Sequence, residues 1–152
     1  MVSPFSEAKT VSKPWGEELW ISDATQVPYA LKRITFLAGN KSSLQVHKFK
    51  IETNYVLSGN GKFQICQRYF DVDQYLSVRN PEEMLNTYLS EMIEVEIKQG
   101  DILHVQKGQI HRVLADSDLI FIEASTSELD DVFRLKDDLG RGHGKIDSEH
   151  GI

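Results

Sequence analysis

The amino-acid sequence predicts an all-β domain, a sandwich or barrel with one short helical insertion. The first indication is a succession of short β-rich runs separated by glycine, proline, asparagine and aspartate, a pattern typical of sandwiches and barrels. The second indication is size, because 152 residues, of which 40% are hydrophobic, suit one domain with one sizeable core. We therefore expect a single domain over residues 1–141 and a flexible, polar, glycine-containing tail over residues 142–152.

The strands are expected where β-branched, aromatic and aliphatic residues lie between turn-forming residues. In chain order these runs are 18–21, 31–36, 55–57, 62–66, 94–97, 102–105 and 119–123. Their shortness and their regular interruption favour the closed or two-layered β arrangement.

One helix is expected between the fourth and fifth of these strands. Asn80 can cap its start, Pro81 suits the first helical position, and acidic residues follow in the first turn. Apolar residues then recur with helical spacing at Met84, Leu85, Tyr88, Leu89 and Met92. Two interpretations stay open: this face packs on the barrel, or the insertion 67–92 covers the barrel mouth or forms a homodimer contact.

Composition limits the partners and the compartment. Seventeen basic residues against 23 acidic residues give a net charge of -6, which argues against nucleic acid as a partner. The single Cys66 cannot form an intramolecular disulfide, and residues 1–10 lack the apolar segment of a signal peptide. No stretch approaches the roughly 20 apolar residues that span a bilayer. We expect a cytoplasmic protein with no membrane contact.

Two separate segments supply a set of candidate metal ligands. Gln45 and His47 are two residues apart, so on a strand both side chains leave the same face. Glu52 has the wrong parity for an uninterrupted strand, but a turn across residues 48–51 would return it opposite His47, as part of a hairpin. His111 would complete the set from a distant strand, after the breaker Gly108. The sequence thus predicts four donors that converge inside a barrel.

The spacing of these residues resembles the two motifs of the cupin superfamily. The first motif is matched by Gly39, Gln45, His47, Glu52 and Gly59, and the second by Gly100, Asp101, Gly108 and His111. Within the cupins, glutamine as the first ligand, together with residues 13–16 (KPWG) and 137–141 (DDLGR), is similar to type II mannose-6-phosphate isomerases. That family also forms the C-terminal domain of bifunctional mannose-1-phosphate guanylyltransferases. The resemblance covers residues 13–141 and implies a cupin (jelly-roll-type) barrel.

One divalent metal ion is the expected cofactor. Two imidazoles, one carboxylate and one amide oxygen suit zinc, iron(II), manganese, nickel or cobalt, since mixed nitrogen and oxygen donors select no single ion. Among these we give zinc the preference.

The expected activity is the interconversion of an aldose phosphate and a ketose phosphate, with the metal polarising the oxygens on C1 and C2. The catalytic candidates are Lys32, Arg141 and Glu123, of which Lys32 and Arg141 match basic positions of the family. Basic residues that flank the motifs are the candidates for binding the phosphate: Lys41, Lys48, Lys50 and Arg112. The chain is too short to include a guanylyltransferase domain.

Two other functions stay open. The residues after His47, HKFKIETN over positions 47–54, differ from the histidine- and arginine-rich sequence usual in these isomerases, so substrate specificity or activity itself could differ. The first alternative is a non-catalytic carbohydrate-binding or regulatory cupin. The second is another metal-dependent cupin enzyme, such as an iron oxygenase.

Overall fold

The computed structural model describes residues 2–4, 7–136 and 144–145. Arg141 and most of the expected tail 142–152 lie outside the described residues. Within the described part, residues 144–145 form a short strand that pairs with an earlier one.

Two antiparallel sheets make up most of the fold. In chain order the elements are β1 (Lys9–Lys13), β2 (Gly16–Asp23), β3 (Ala30–Phe36), β4 (Leu44–Val46), β5 (Glu52–Ser58), β6 (Asn60–Ile65), α1 (Val72–Ser77), α2 (Pro81–Ser90), β7 (Ile93–Lys98), β8 (Ile102–Val105), β9 (His111–Ala115), β10 (Leu119–Ser125), β11 (Phe133–Lys136) and β12 (Gly144–Lys145). The first sheet has the order β1-β2-β3-β10-β5-β8, and the second has the order β12-β11-β4-β9-β6-β7. The all-β architecture expected from the sequence is confirmed.

All seven strands expected from the sequence are present, within β2, β3, β5, β6, β7, β8 and β10. Of the other strands, β4 and β9 are expected only from the positions of the candidate ligands, and β1, β11 and β12 are not expected. These strands are short, and several place a polar or charged residue where the pattern requires an apolar one, as in the LQV of β4 and the HRVLA of β9. The apolar strand pattern alone therefore does not find β4 and β9, whereas the spacing of the candidate ligands does.

The insertion 67–92 contains two helices rather than the one expected. Asn80 caps α2 by accepting from the Glu83 N–H at 3.2 Å, and Pro81 is the first helical residue, as predicted. The shorter α1 is capped by Asp71, which accepts from the Gln74 N–H at 3.1 Å. Among the described residues, no helix is both long enough and apolar enough to cross a bilayer.

The helices pack on the outside of the second sheet. Leu85 and Tyr88 of α2 are buried in one apolar cluster with Leu44 and Val46 of β4. None of residues 67–92 lines the cavity between the sheets. The interpretation of the insertion as a cover over the barrel mouth is therefore wrong, because the apolar face of α2 packs against the outside of the second sheet. A homodimer contact through the insertion stays a prediction.

The space between the two sheets is apolar in one part and polar in the other. In the apolar part Trp15 stacks on Phe36 with ring centroids 4.1 Å apart, and Phe36 meets the edge of Phe121 at 5.9 Å. These three rings also form part of the wall of a cavity of about 80 Å³, whose other lining side chains are largely polar or charged. The apolar cluster therefore borders the polar region that can hold a site.

Candidate metal centre

The first two candidate ligands are placed by β4. Leu44 and Val46 point outward into the apolar cluster beneath the helices, so Gln45 between them faces the cavity. His47 follows directly after the strand and also lines the cavity. The same-face prediction for Gln45 and His47 is consistent with this placement.

The predicted hairpin between His47 and Glu52 is wrong. β4 belongs to the second sheet and β5 to the first, so residues 48–51 carry the chain from one sheet to the other. Glu52 begins β5, where alternation places Glu52, Asn54 and Val56 on the buried inner face. The donors therefore approach from opposite walls of the barrel, and their convergence does not depend on hairpin parity.

His111 comes from β9, as predicted, and lies directly opposite Gln45 in the register of β9 with β4. The turn before it uses Gly108, whose φ of +76° favours glycine and whose N–H donates to the His47 carbonyl at 2.7 Å. The two sequence motifs are thus joined by a backbone hydrogen bond next to the ligands.

The three groups His47, Glu52 and His111 converge closely. His47 Nε2 lies 3.6 Å from Glu52 Oε2, and His111 Nε2 lies 3.8 Å from Glu52 Oε1. One ligand atom from each of the three residues falls within 4.8 Å of the others, and all three side chains are buried. This grouping can hold a metal ion.

Hydrogen bonding fixes the tautomer of both histidines. His47 Nδ1 donates to the Asp131 carbonyl at 2.7 Å, and His111 Nδ1 donates to the Gln109 carbonyl at 2.9 Å. A proton on Nδ1 leaves Nε2 as a lone-pair acceptor, and neither Nε2 atom has a hydrogen-bond partner among the described residues. This orientation by backbone carbonyls is usual for histidines that bind metals.

Electrostatics agree with a cation in this place. Burial, with a further contribution from the charge of Lys50, lowers the pKa of His47 to about 3, and burial also lowers the pKa of His111. Burial opposes ionisation of Glu52, but the Lys50 ammonium holds the pKa of that carboxyl well below its usual range. Two neutral imidazoles and one carboxylate, all acceptors, therefore face one another. A divalent cation fits this donor set.

Asp131 fastens the loop that carries His47, and sequence analysis missed it. Its carboxylate accepts from three successive backbone N–H groups, those of Lys48, Phe49 and Lys50. Its own carbonyl accepts from His47 Nδ1. Since Asp131 is 84 residues from His47 in the chain, spacing within the motif could not reveal it.

We expect Asp131→Ala to weaken divalent-metal binding by about 10- to 100-fold, the usual effect of losing a group that orients a ligand. The reason is that the loop over residues 48–50 loses its anchor, so His47 is no longer held toward Glu52. Calorimetric titration of metal-free protein measures the change. Glu128→Gln, which alters an exposed carboxylate nearby in the chain, is the matched control. Equal affinity in Asp131→Ala and the control would contradict this role.

A second buried group adjoins the three donors. Lys50 Nζ lies 2.9 Å from Glu52 Oε2 and 3.1 Å from Glu123 Oε1. Burial, and to a smaller extent the charge of the neighbouring Glu52, raises the pKa of Glu123 to about 8. Although burial alone would favour the neutral amine, the charges of Glu123 and Glu52 raise the pKa of Lys50. A buried ammonium and a carboxyl whose pKa is raised toward the range in which it can both take up and release a proton therefore lie beside the candidate ligands.

A third charged group lines the same cavity. Lys32 Nζ lies 3.0 Å from Glu18 Oε1, and Lys13 Nζ lies 3.3 Å from Glu18 Oε2. Lys32 is also the cross-strand neighbour of Glu123 in the pairing of β3 with β10. Lys13 and Glu18 were not predicted as site residues. Three successive residues of β2, from Glu18 to Trp20, are buried, so strand alternation in the sequence does not indicate Glu18.

The other predicted residues are placed as follows. Lys32, Lys50 and Glu123 line the cavity together with Gln45, whose Oε1 accepts from the Ser43 hydroxyl at 3.3 Å. Lys41, Lys48 and Arg112 are not among the residues that line it. Lys48 pairs with Asp73 at 2.8 Å, and Arg112 Nε donates to the Ser42 carbonyl at 2.9 Å. Phosphate binding by these three residues therefore gains no support from their positions, and Arg141 lies outside the described residues.

Comparison with known proteins shows a structural likeness without a sequence relative. No protein-family model and no curated protein matches the chain. CapF, the capsular polysaccharide assembling protein of Staphylococcus aureus, superposes with a TM-score of 0.62 at 17% identity, over 88% of this chain and 34% of its own. The Lactobacillus farciminis oxalate decarboxylase does so with a TM-score of 0.61 at 18% identity, over 86% and 34%. The Bacillus subtilis oxalate decarboxylase, described by its Mn(II) centres, gives 0.62 at 18%, over 86% and 31%.

These structures share the fold at low identity, and the chain spans about a third of their length. The chain thus has a cupin-type barrel, with a candidate divalent-metal site between its two sheets. The more particular resemblance, to type II mannose-6-phosphate isomerases, stays a prediction.

Proposed function

We propose that the chain is a divalent-metal-dependent isomerase that interconverts an aldose phosphate and a ketose phosphate. The observation that carries this proposal is the position of Glu123, a buried carboxyl that adjoins the three candidate ligands through Lys50 without being one of them. A metal site with a proton carrier next to it is what isomerisation through an enediol requires.

His47, Glu52 and His111 would hold the metal, with the Gln45 amide oxygen as a fourth donor, and the bound metal would polarise the oxygens on C1 and C2. Glu123 would take the proton from C2 and return it to C1. The hydroxyl proton moves from the oxygen on C2 to the oxygen on C1, so the numbers of atoms and electrons are unchanged. Lys50 holds the Glu123 carboxyl in place through its 3.1 Å contact.

The charge of the cavity supports an anionic substrate. Four cationic side chains line it, Lys13, Lys32, Lys50 and Arg134, against three carboxylic acids, Glu18, Glu52 and Glu123. This excess lies within a chain whose net charge is -6, and a divalent ion would increase it. A phosphorylated substrate is therefore favoured over a neutral sugar.

The size of the cavity limits how the substrate can sit. Its volume of about 80 Å³ has room for several water molecules. Pockets that enclose a drug-sized ligand measure roughly 300 Å³ or more. The reacting carbonyl end would therefore enter between the sheets, while the rest of the sugar phosphate stays at the rim.

The donor set does not select one divalent metal. Mixed nitrogen and oxygen donors accept zinc, iron(II), manganese, nickel and cobalt. The preference for zinc gains no support from the structural likenesses, in which the metal named is manganese.

The experiment is to assay mannose 6-phosphate and fructose 6-phosphate with metal-free protein, alone and after adding each of the five metals. We expect turnover that depends on added metal and disappears in Glu123→Gln. Tight, phosphate-dependent binding with no turnover under any metal would instead support the non-catalytic carbohydrate-binding reading. Stoichiometric metal without turnover or sugar-phosphate binding would overturn the proposal, since the fold alone allows many chemistries.

A further inference from the structure

Lys50 is placed where a cation directly affects the candidate metal ligands. Its ammonium lies 2.9 Å from Glu52 Oε2, and the same oxygen lies 3.6 Å from His47 Nε2. The side chain is 5% exposed, so water screens this contact little. Any divalent cation held by Glu52 must therefore share that carboxylate with a cation that is already present.

The orientation of Glu52 does not depend on Lys50 alone. Asn54 Nδ2 donates to the other carboxylate oxygen, Oε1, at 3.3 Å, and Asn54 is itself buried on the same strand. β5 also fixes the direction of both side chains, because they leave the same face two residues apart. Removal of Lys50 should thus change the charge at Glu52 more than its position.

The opposite side of Lys50 is occupied by Glu123, at 3.1 Å. The contact with this second carboxyl holds the Lys50 ammonium next to Glu52, and it would persist when a metal binds. Lys50 therefore remains a neighbour of the metal-binding carboxylate in both states.

We propose that Lys50 limits the affinity of the site for divalent cations, so that His47, Glu52 and His111 bind metal more weakly than these three donors alone would. This inference rests on the proposed metal binding at those residues. Its functional consequence concerns Lewis acidity: a carboxylate already engaged with an ammonium donates less charge, so the metal polarises substrate oxygens more strongly.

The test is the dissociation constant for zinc and for manganese, measured by competition with a chromophoric chelator. Lys50→Met should bind each metal at least about tenfold more tightly than the unchanged protein, which corresponds to about 1.4 kcal/mol. Lys32→Met is the matched control, because Lys32 is an equally buried lysine in the same cavity but pairs with Glu18. We expect its effect to be much smaller than that of Lys50→Met.

Equal or weaker binding by Lys50→Met would overturn the inference and leave the metal site itself intact. An unchanged protein that binds neither metal would overturn the metal site, and the inference with it. Lys50→Met leaves the carboxyls of Glu52 and Glu123 facing each other without a cation between them, which disfavours folding. A second comparison therefore repeats the test in a background without the Glu123 carboxyl. Lys50→Met/Glu123→Gln should bind metal at least about tenfold more tightly than Glu123→Gln alone. Equal or weaker binding there would also count against Lys50.

Discussion

Replacing His47 or His111 with alanine is expected to abolish stoichiometric metal binding while the barrel remains folded. Each substitution removes one of the three buried donors that converge on one point, and no remaining donor can replace it. The fold should persist because its stability depends mainly on the apolar cluster around Trp15, Phe36 and Phe121, which neither substitution removes. Elemental analysis of purified protein measures the metal, and circular dichroism with thermal melting reports the fold.

The chain offers a matched control for this experiment. His104 lies on the exposed outer face of β8, where its Nδ1 is 2.9 Å from the Thr53 hydroxyl. His104→Ala removes a histidine of the same size without reaching the cavity, so its metal content should equal that of the unchanged protein. Full metal content in a His47→Ala/His111→Ala double variant would show that the site has been placed wrongly.

Glu123→Gln is expected to reduce kcat by about 10²- to 10⁴-fold, the usual contribution of a positioned proton carrier. Glutamine keeps the size of the side chain, and its amide oxygen can still accept from Lys50, but it cannot take up a proton from C2. The bound metal should be retained, since Glu123 is not one of the three grouped donors. Steady-state kinetics with the activating metal, alongside elemental analysis, measure both effects.

Glu52→Gln distinguishes metal binding from proton transfer. This variant changes the carboxylate within the donor group, so it should lose metal and activity together, whereas Glu123→Gln should lose activity alone. Glu94→Gln, an exposed position on β7, should change neither. If Glu123→Gln kept more than half of the turnover, another group would have to carry the proton.

The sequence predicts the ligands better than it predicts how they meet. The predicted set includes His47, Glu52 and His111, which do approach one another, and Gln45, which lines the same cavity. Spacing finds them because it reflects which face of a strand each side chain leaves. The predicted hairpin fails because pairing between strands is a long-range property: residues 48–51 cross between sheets instead of turning within one. Parity along a single strand could not distinguish these two paths.

The missed residues share a different cause. Asp131 and Glu18 act through contacts with residues far away in the chain, so no local pattern indicates them. Lys48 and Arg112 illustrate the opposite error, since proximity to a motif in sequence suggested a role that their side-chain directions do not support. The helix α1 was missed because its six residues carry little apolar periodicity.

The charged interior of the first sheet also bears on how the strands find their alignment during folding. In the native alignment Glu123 of β10 lies opposite Lys32 of β3 and Asn54 of β5. A shift of β10 by one residue would put Ile122 or Ala124 in that row and turn Glu123 toward solvent, because side chains alternate between the two faces. Lys50 would then lose its 3.1 Å contact with Glu123, and breaking a buried contact of this kind is strongly destabilising. A barrel with a wholly apolar interior would tolerate such a slip more readily, so these charges penalise misaligned strands before any metal or substrate is bound.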